Sequence, residues 1–348
     1  MFFDEFFVGE KDFRRKQFCH AFFKELVDDF SEITVFPKNL REKLSENDFQ
    51  ILKVKKHFSG KSAEKMLLET PDGKKIETVL MKHGGRNTLC VSCQIGCGAN
   101  CAFCATGALG LSRSLSAREI VEQFLIFARL LKKRFLEKFP DKKWNLADAP
   151  PAFRIRNVVF MGMGEPLHNF ENVACAIEIF SDEKYLNLGA KRITVSTVGI
   201  AKNIPKLLAL KKLPNLAVSL HAATDELRNQ IVPTNLGFPL KKLFEYLDQF
   251  VEKTGRRIFY EWTVLRGVND TFEQMDALGK LLRARAAHVN FIPVNPGPSR
   301  IKYRRPSIDH IRQMQKYLLE TYGVPSTIRA LYGDDVDGAC GQLAAAEK

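Results

Sequence analysis

Three cysteines, Cys97, Cys101 and Cys104, lie four and three residues apart in a glycine-rich stretch with few bulky side chains. A short loop can turn thiolates at this spacing towards a common point, and soft thiolate ligands suit zinc or an iron–sulfur cluster better than magnesium or calcium. Structural zinc sites and ordinary four-iron clusters take four protein ligands, whereas this loop supplies three. The missing fourth ligand would leave one metal position open, which predicts a catalytic cluster.

Two further cysteines could take part in chemistry. Cys340 lies among small residues near the C-terminus, where a thiol has room to move and could be a nucleophile or a further metal ligand. Cys90 forms a C-x-x-C pair with Cys93, thirteen residues after Glu77, but no thioredoxin-like pattern surrounds it. Along an extended strand Cys90 and Cys93 would project to opposite faces, which favours one functional cysteine and one bystander.

Small and polar residues follow several apolar strand candidates. In Gly162-Met163-Gly164-Glu165-Pro166 the glycines would let the backbone approach a ligand, and the glutamate could accept a hydrogen bond from an ammonium or hydroxyl group. The alternative is a tight strand-to-helix turn. Later strand candidates end in Ser196, Ser219, Leu220, His221 and Asn295. Taken singly none of these is specific, and a lone histidine is usually structural.

These residues depend on a strand, loop and helix pattern that repeats from about residue 86. The strand candidates are 88–91, 157–161, 192–196, 215–220, 257–265, 288–293 and 326–329. One of the helices between them opens with a capping box at Ser116 and Glu119. Such alternation predicts an α/β fold with parallel strands and crossover helices, and about six repeats suit an incomplete (β/α)6 barrel. Functional residues should then lie just beyond the carboxyl ends of the strands.

The remaining segments complete a predicted domain organisation. Residues 1–62 are predicted to form a helical N-terminal accessory domain that binds RNA, and its phenylalanine stripe fits a core better than a base-stacking platform. A hairpin at 63–85 would link it to the barrel at 86–330, and the loop at 331–348 carries Cys340. The segment 129–156 predicts a long helix and a surface loop, which could touch RNA phosphates or be a solvated face.

Composition sets the broad class. The 348 residues carry a net charge of +13, with basic residues throughout the chain, which favours a surface for nucleic acid over simple solubility by lysine. No apolar run is long enough to span a bilayer and the start has no signal-peptide layout, so we expect a cytoplasmic protein with no membrane partner. Clustered cysteines in that compartment bind metals or do catalysis more often than they form disulfides.

With these motifs assembled, Cys97-x-x-x-Cys101-x-Phe103-Cys104 resembles the cluster motif of radical S-adenosylmethionine (SAM) enzymes. More narrowly, the chain resembles the RlmN/Cfr family of RNA adenine methyltransferases over nearly its whole length. The matching segments are 89–97, 105–107, 162–166, 196–197, 219–221, 295–296 and 339–343. Cys93 departs from the pattern, because the family commonly has serine there.

The resemblance implies roles that spacing alone does not give. Cys97, Cys101 and Cys104 would hold a [4Fe–4S] cluster whose fourth iron chelates SAM. The rest of the cofactor would contact Gly164, Glu165, Ser196, Ser219, Leu220, His221 and Asn295. Cys340 would take a methyl group from one SAM, and a radical made from a second SAM would remove hydrogen from that S-methyl group. After the carbon adds to adenine, Cys90 would help remove the ring proton and form a transient disulfide with Cys340, with Glu77 as proton acceptor.

Position on the adenine ring is a separate question. Glu165-Pro166-Leu167 and residues 227–233 look like the enzymes that methylate C2, whereas the C8 enzymes often have alanine after the glutamate. The resemblance therefore implies a monomer that methylates C2 in 23S rRNA and in the tRNA adenosine beside the anticodon. It also implies a reducing electron donor such as flavodoxin or ferredoxin. The alternatives are a C8 methyltransferase and a non-catalytic RNA-binding protein that holds zinc with Cys90 or Cys93 as fourth ligand.

Overall fold

The structure is a computed structural model that describes residues 7, 9–295, 299, 301–329 and 333–344. Pro296 and the parts of the predicted C-terminal loop at 331–332 and 345–348 lie outside these residues. The strands are β1 (Lys53–Ser59), β2 (Ala63–Glu69), β3 (Lys75–His83), β4 (Arg86–Cys90), β5 (Gln94–Gly96), β6 (Leu111–Ser114), β7 (Ile155–Phe160), β8 (Ile193–Thr197), β9 (Asn215–Ser219), β10 (Ile258–Val264), β11 (Ala287–Pro293) and β12 (Ser326–Ile328). The α-helices are α1 (Asp12–His20), α2 (Lys38–Leu44), α3 (Ala105–Ala108), α4 (Ala117–Lys138), α5 (Phe170–Ser181), α6 (Ile204–Leu207), α7 (Asp225–Ile231), α8 (Leu240–Thr254), α9 (Phe272–Leu282) and α10 (Ile308–Tyr322).

Ten strands form one sheet in the order β1-β2-β3-β4-β7-β8-β9-β10-β11-β12. From β4 to β12 every neighbouring pair is parallel, and each of these strands overlaps one of the seven sequence candidates. The α/β fold with a mainly parallel sheet is therefore confirmed. A sheet that starts at β1 and stops at β12 agrees with an incomplete barrel.

The helices between the parallel strands give the fold its second layer. Helix α4 begins with the predicted capping box, in which Ser116 accepts from the Glu119 amide and Glu119 accepts from the Ser116 amide. Its apolar side is buried together with that of α5. Each crossover returns the chain to the same edge, so the carboxyl ends of the parallel strands meet there. Among the described residues, we find no helix that combines the length and apolar character needed to cross a membrane.

The N-terminal segment packs a phenylalanine core, as the stripe predicted. Phe18 and Phe22 are fully buried and stack with ring centroids 5.1 Å apart. Helix α1 continues into a π-turn at Ala21–Glu25 and ends at Leu26, whose φ is +53°. These side chains are inaccessible to a base, so the core interpretation is confirmed.

The prediction that residues 1–62 are helical is wrong for one segment. Residues 53–59 form strand β1, which pairs antiparallel with β2 and extends the predicted hairpin of β2 and β3 to three strands. Its side chains are almost all exposed, so no buried alternation marked it in the sequence. Lysines at this outer strand also disfavour pairing with a second chain.

A buried carboxylate ties the hairpin to α4. Glu64 on β2 has no exposed side-chain area and contacts three basic side chains: Arg134 at 2.6 and 2.9 Å, Lys82 at 2.6 Å and His57 at 2.7 Å. Burial alone would raise the pKa of Glu64, but the hydrogen bonds from Arg134 and Lys82 lower it to about 2. The ionised form is therefore the stabilising one.

Replacing Glu64 with glutamine is expected to destabilise the protein by about 2 kcal/mol. The usual loss on breaking a buried pair is about 3–5 kcal/mol, but Arg134 and Lys82 are 34% and 38% exposed and can rehydrate. Because the folded-state pKa of about 2 lies below the ordinary 4.5, the contribution is full above pH 4.5 and is lost as pH falls towards 2. Denaturant unfolding at pH 7 and pH 3 measures both effects.

The matched control, Glu320→Gln, breaks an exposed pair with Lys316 at 3.9 Å and should change stability by less than about 0.5 kcal/mol. Equal losses in the two variants would contradict the expectation.

Candidate active site

A cavity opens at the carboxyl ends of the parallel strands. About 830 Å³ of it is free of protein atoms, counting its opening to solvent, which is within the usual range for small-molecule sites. Nine of the predicted site residues line it: Cys97, Cys101, Cys104, Gly164, Glu165, Ser196, Ser219, His221 and Cys340. Sequence positions more than two hundred residues apart thus share one site.

The three-cysteine loop lies between β5 and α3. Its entry is fixed by the Cys97 amide, which donates to the Gly110 carbonyl at 2.8 Å. A turn in which the Cys104 amide donates to the Cys101 carbonyl at 3.2 Å brings the chain into α3. Gly107 lets this turn close, since a Cβ there would lie 3.0 Å from the Cys101 nitrogen. All three cysteines line the cavity.

The chemistry of these thiols fits a soft metal centre. Burial raises the pKa of Cys97 to about 12 and raises that of Cys101 and Cys104 as well, and a bound metal would reverse this by keeping its ligands deprotonated. Within the described residues, no three His, Cys, Asp or Glu side chains are placed to hold one metal ion together. In a four-iron cluster each thiolate binds its own iron, so three separate thiols around one cavity are the donor set that the group takes.

The turn after β7 needs its glycines. A Cβ on Gly162 would lie 2.7 Å from the Val91 carbonyl oxygen. Gly164 has φ of +103°, and a Cβ there would lie 2.6 Å from the Gln94 side chain and 2.8 Å from its backbone nitrogen. The turn is therefore pressed against β5, next to the cysteine loop.

Glu165, which follows these glycines, is buried and accepts three hydrogen bonds. Its Oε1 accepts from Thr197 Oγ1 at 2.7 Å and from the Leu167 amide at 2.9 Å, and its Oε2 accepts from the Val198 amide at 2.8 Å. Burial raises the pKa of Glu165 to about 7. The carboxylate connects the ends of β7 and β8 at the cavity wall.

Substituting alanine for Gly164 is expected to remove about 2–4 kcal/mol of stability, from the strained φ and the clash with Gln94. The displaced turn should also weaken SAM binding to the reconstituted protein. Denaturant unfolding and equilibrium dialysis with SAM measure the two effects. Gly189→Ala is the matched control, because a Cβ at Gly189 meets nothing within 4 Å. An unchanged Gly164→Ala variant would contradict this description of the turn.

His221 is held in a defined tautomer at the end of β9. The Thr263 amide donates to its Nδ1 at 2.9 Å, so the ring proton of the neutral form is on Nε2. Burial, together with nearby Arg228, lowers the pKa of His221 to about 3. The residue has a left-handed φ of +59°, and it presents a neutral imidazole to the cavity.

Arg228 positions the loops around this histidine. It is fully buried and donates to three backbone carbonyls that end β8 and β9: Val198 at 2.6 Å, Leu220 at 3.0 Å and Ser219 at 3.3 Å. Burial lowers the pKa of Arg228 to about 10, so it stays charged at neutral pH. The sequence analysis compared residues 227–233 with the C2 and C8 enzymes, but it did not predict that Arg228 holds the ends of β8 and β9.

Two residues that were predicted to bind the cofactor, Leu220 and Asn295, do not line the large cavity. Leu220 is fully buried and its amide donates to the Glu261 carbonyl at 3.0 Å, so its side chain does not line the cavity. Asn295 contacts the C-terminal tail, because its Nδ2 donates to the Cys340 carbonyl at 3.2 Å. Arg305 in turn donates to Asn295 Oδ1 at 2.8 Å.

The tail brings Cys340 to a junction between two cavities. Cys340 lines the large cavity and also a smaller one, which Cys90 at the end of β4 lines as well. Cys340 is exposed, whereas Cys90 is buried, and burial followed by the proximity of Cys340 raises the pKa of Cys90 to about 12. Cys93 lies in the core and lines neither cavity. All eight cysteines are free, so a permanent disulfide is not supported.

Glu77 anchors the tail from the hairpin. Its Oε1 lies 2.7 Å from Lys65 Nζ, and its Oε2 accepts from the Ala344 amide at 2.8 Å. Lys65 also donates to the Asp337 carbonyl at 3.2 Å. On the other side, Thr106 Oγ1 donates to the Leu343 carbonyl at 2.6 Å. The hairpin and α3 thus hold the segment that carries Cys340.

Sequence reasoning missed Arg329, which lines both cavities. It lies directly after β12, and its Nη1 is 3.2 Å from Glu261 Oε2. Burial would lower the pKa of Arg329, but Cys340 and Glu261 raise it. Its place at the end of the candidate strand 326–329 was the available signal, since the other strand-end residues were singled out by that position.

Comparison with known proteins agrees with this geometry. Residues 1–49 match the model of the ribosomal RNA large subunit methyltransferase N-terminal domain. The chain is 42% identical to the probable dual-specificity RNA methyltransferase RlmN 2 of Opitutus terrae, covering 93% of this chain and 80% of that one. It is 40% identical to the dual-specificity RNA methyltransferase RlmN 1 of Myxococcus xanthus, covering 97% and 89%. A solved radical SAM methyltransferase from Sphaerobacter thermophilus superposes with a TM-score of 0.89 at 38% identity, covering 97% and 95%.

The fold and the three-thiol cavity, with that structural match, define an enzyme of the radical SAM methyltransferase class. Within this class the chain belongs to the RlmN family of dual-specificity RNA methyltransferases.

Proposed function

We propose that this enzyme methylates C2 of an adenine in 23S rRNA, and of the tRNA adenosine beside the anticodon, through an S-methylcysteine at Cys340. The observation that carries the proposal is the place of Cys340 at the junction of the two cavities. One of them holds the three-thiol loop and the polar strand ends, and the other holds Cys90. A thiol at this junction can receive a methyl group on one side and release it on the other.

Cys97, Cys101 and Cys104 would hold a [4Fe–4S] cluster, which supplies one electron for the reductive cleavage of SAM when it is bound. Gly164, Ser196, Ser219 and His221 line the space beside the loop and would contact SAM. The neutral His221 offers an Nε2 donor there. Glu165 holds the ends of β7 and β8 in place through its three hydrogen bonds. Leu220 and Asn295 would position the neighbouring backbone and would not contact SAM through their side chains, since neither residue lines the large cavity.

The environments of the two distant thiols support different roles for them. A thiolate is the nucleophile in methyl transfer, and burial keeps the Cys90 thiol neutral with its pKa at about 12. Cys90 is therefore a poor competitor for the methyl group of SAM, whereas Cys340 is exposed. In the proposed reaction the adduct formed when the methylene carbon joins adenine gives one electron back to the external electron-transfer system and loses its ring proton. Cys90 then attacks the Cys340 sulfur as the thiolate, the carbon–sulfur bond breaks, and the carbon takes up a proton to become the methyl group of the product. An external reductant would restore both thiols from the transient Cys90–Cys340 disulfide.

Glu77 would accept the proton that leaves the adenine ring. Its carboxylate holds Lys65 and the Ala344 amide, so taking up a proton would weaken both contacts. The tail that carries Cys340 would loosen at the step in which the product has to leave.

RNA binding is expected from charge and from the N-terminal segment. The net charge of +13 favours phosphate contacts, which fix position without reading sequence. Adenine must leave its stack to reach Cys340, at a cost of about a few kcal/mol. Cys340 and Gly341 of the tail line the large cavity, and the tail would exclude water there once RNA is bound.

Anaerobic reconstitution with iron and sulfide, followed by nucleoside mass spectrometry of treated 23S rRNA and tRNA, tests the proposal. We expect a brown protein that cleaves SAM on reduction and yields 2-methyladenosine. Formation of 8-methyladenosine alone would replace C2 by C8. A colourless zinc protein without SAM cleavage would contradict the catalytic proposal altogether.

A further inference from the structure

Four arginines gather at the edge of the sheet opposite the active site. Arg86 begins β4, Arg154 and Arg156 flank the first residue of β7, and Arg192 immediately precedes β8. Strands β4, β7 and β8 are neighbours with Asn87 opposite Ile155 and Val158 opposite Ile193, so their amino ends lie side by side. A strand of six residues spans about 20 Å, which separates this arginine cluster from the cavity.

No carboxylate pairs with three of these four arginines. In the part of the chain that the structure describes, the side chains of Arg86, Arg156 and Arg192 have no ion-pair or hydrogen-bond partner. The Nε atoms of Arg154 and Arg156 are buried and unpaired. Partial burial and the three neighbouring arginines lower the pKa of Arg156. Like charges held together in this way repel each other, and an anion would relieve the repulsion.

The adjoining loop is fixed against this edge and has no net charge, because Lys142 and Lys143 are balanced by Asp141 and Asp148. After α4 the chain crosses the amino ends of β4 and β7, where Asn87 Nδ2 donates to the Ala152 carbonyl at 2.9 Å and Arg154 donates to the Ala147 carbonyl. Lys142 lies 4.9 Å above the ring of Phe139 in this loop. This packing fixes residues 139–153 beside the arginine cluster and gives the 129–156 segment a position.

We propose that the arginine cluster, Arg86, Arg154, Arg156 and Arg192, binds backbone phosphates of the RNA substrate at a second contact on the far side of the barrel. The inference rests on the proposed function for the identity of the polyanion. Guanidinium forks match phosphate oxygens in pairs, and such contacts carry no sequence information. A short stem-loop seated at the barrel mouth does not reach this edge, whereas a large folded RNA does. The cluster thus favours large RNA substrates.

The test measures how binding of the holoenzyme depends on salt, with a protein-free 23S rRNA transcript and a short stem-loop containing the target adenine. The variant is Arg86→Gln/Arg156→Gln/Arg192→Gln, which leaves Arg154 in place because it holds Ala147. The control, Lys280→Gln/Arg312→Gln/Lys316→Gln, removes the same charge from α9 and α10. Each lost phosphate contact lowers the slope of log affinity against log salt by about 0.7–0.9. We expect the slope for the transcript to be shallower by about 2–3 in the variant, with stem-loop binding equal to the control.

Equal slopes for the variant and the control on the transcript would overturn the inference. The single variant Arg86→Gln is included in case the triple variant misfolds, since the Arg86 side chain is exposed. By itself it should lower the slope by about 0.7–0.9. A slope unchanged by Arg86→Gln would also count against the cluster. Methylation of the 23S rRNA transcript by the wild-type enzyme is scored separately. Its failure would contradict the proposed function, while the slopes still decide whether the cluster binds RNA.

Discussion

Cys340→Ala is expected to abolish RNA methylation, with a loss on the order of 10³-fold or more, as for removal of a nucleophile. The alanine has no sulfur to receive the methyl group, and in the described residues no other thiol lines the large cavity beyond the three of the loop. Reductive SAM cleavage should survive, because Cys340 is not needed to hold the cluster. Nucleoside mass spectrometry and assay of SAM cleavage on the same reconstituted sample separate the two activities.

Cys175→Ala is the matched control for this variant. Cys175 lies in α5 and lines neither active-site cavity, so full methylation is expected. Methylation by Cys340→Ala at the wild-type rate would remove the methyl-carrier proposal. Loss of both methylation and cluster would instead place Cys340 among the metal ligands.

Cys90→Ala is expected to stop turnover at a later point. Methyl transfer to Cys340 and addition to adenine should proceed, but the thiol that releases the product is missing. RNA should then accumulate in a covalent adduct with Cys340, and multiple-turnover methylation should fall by about 10²-fold or more. A denaturing gel, with digestion and mass spectrometry of the cross-linked peptide, detects the adduct.

Two variants control for this result. Cys90→Ala/Cys340→Ala should give no adduct, because the attachment point is gone. Cys93→Ala should turn over normally, since Cys93 lies in the core outside both cavities. Normal multiple turnover by Cys90→Ala would contradict the release step.

The parallel half of the fold was predictable because most of its strands contain a buried group of apolar or β-branched residues. Buried strands such as β9 and β10 carry few polar residues, and glycines, prolines and capping residues separate them from helices. Strand β1 was missed for the converse reason, since its lysines leave no buried face to recognise. Strand β1 forms because it pairs with β2, and the residues of β1 alone do not show this pairing.

The active-site residues likewise fall into those with a local sequence signal and those without one. The cysteine loop and the strand-end residues carry local signals of spacing and position, and the structure brings eight of them, together with Cys340, to one cavity. Arg329 had only its position at the end of a strand candidate as a signal, and Glu261 became visible only through its contact with Arg329 at the end of β12. Glu77 is a similar case, because its hold on Ala344 joins residues 267 positions apart. Long-range pairs of this kind follow from the fold and cannot be read from spacing.

The most direct test of the central claim uses SAM with a trideuterated methyl group and follows the label into the RNA over many turnovers. Removal of one hydrogen from S-methyl-Cys340 before transfer predicts 2-methyladenosine whose methyl group keeps two deuteriums. A methyl group that arrives with all three deuteriums would show direct transfer from SAM and would contradict the route through Cys340.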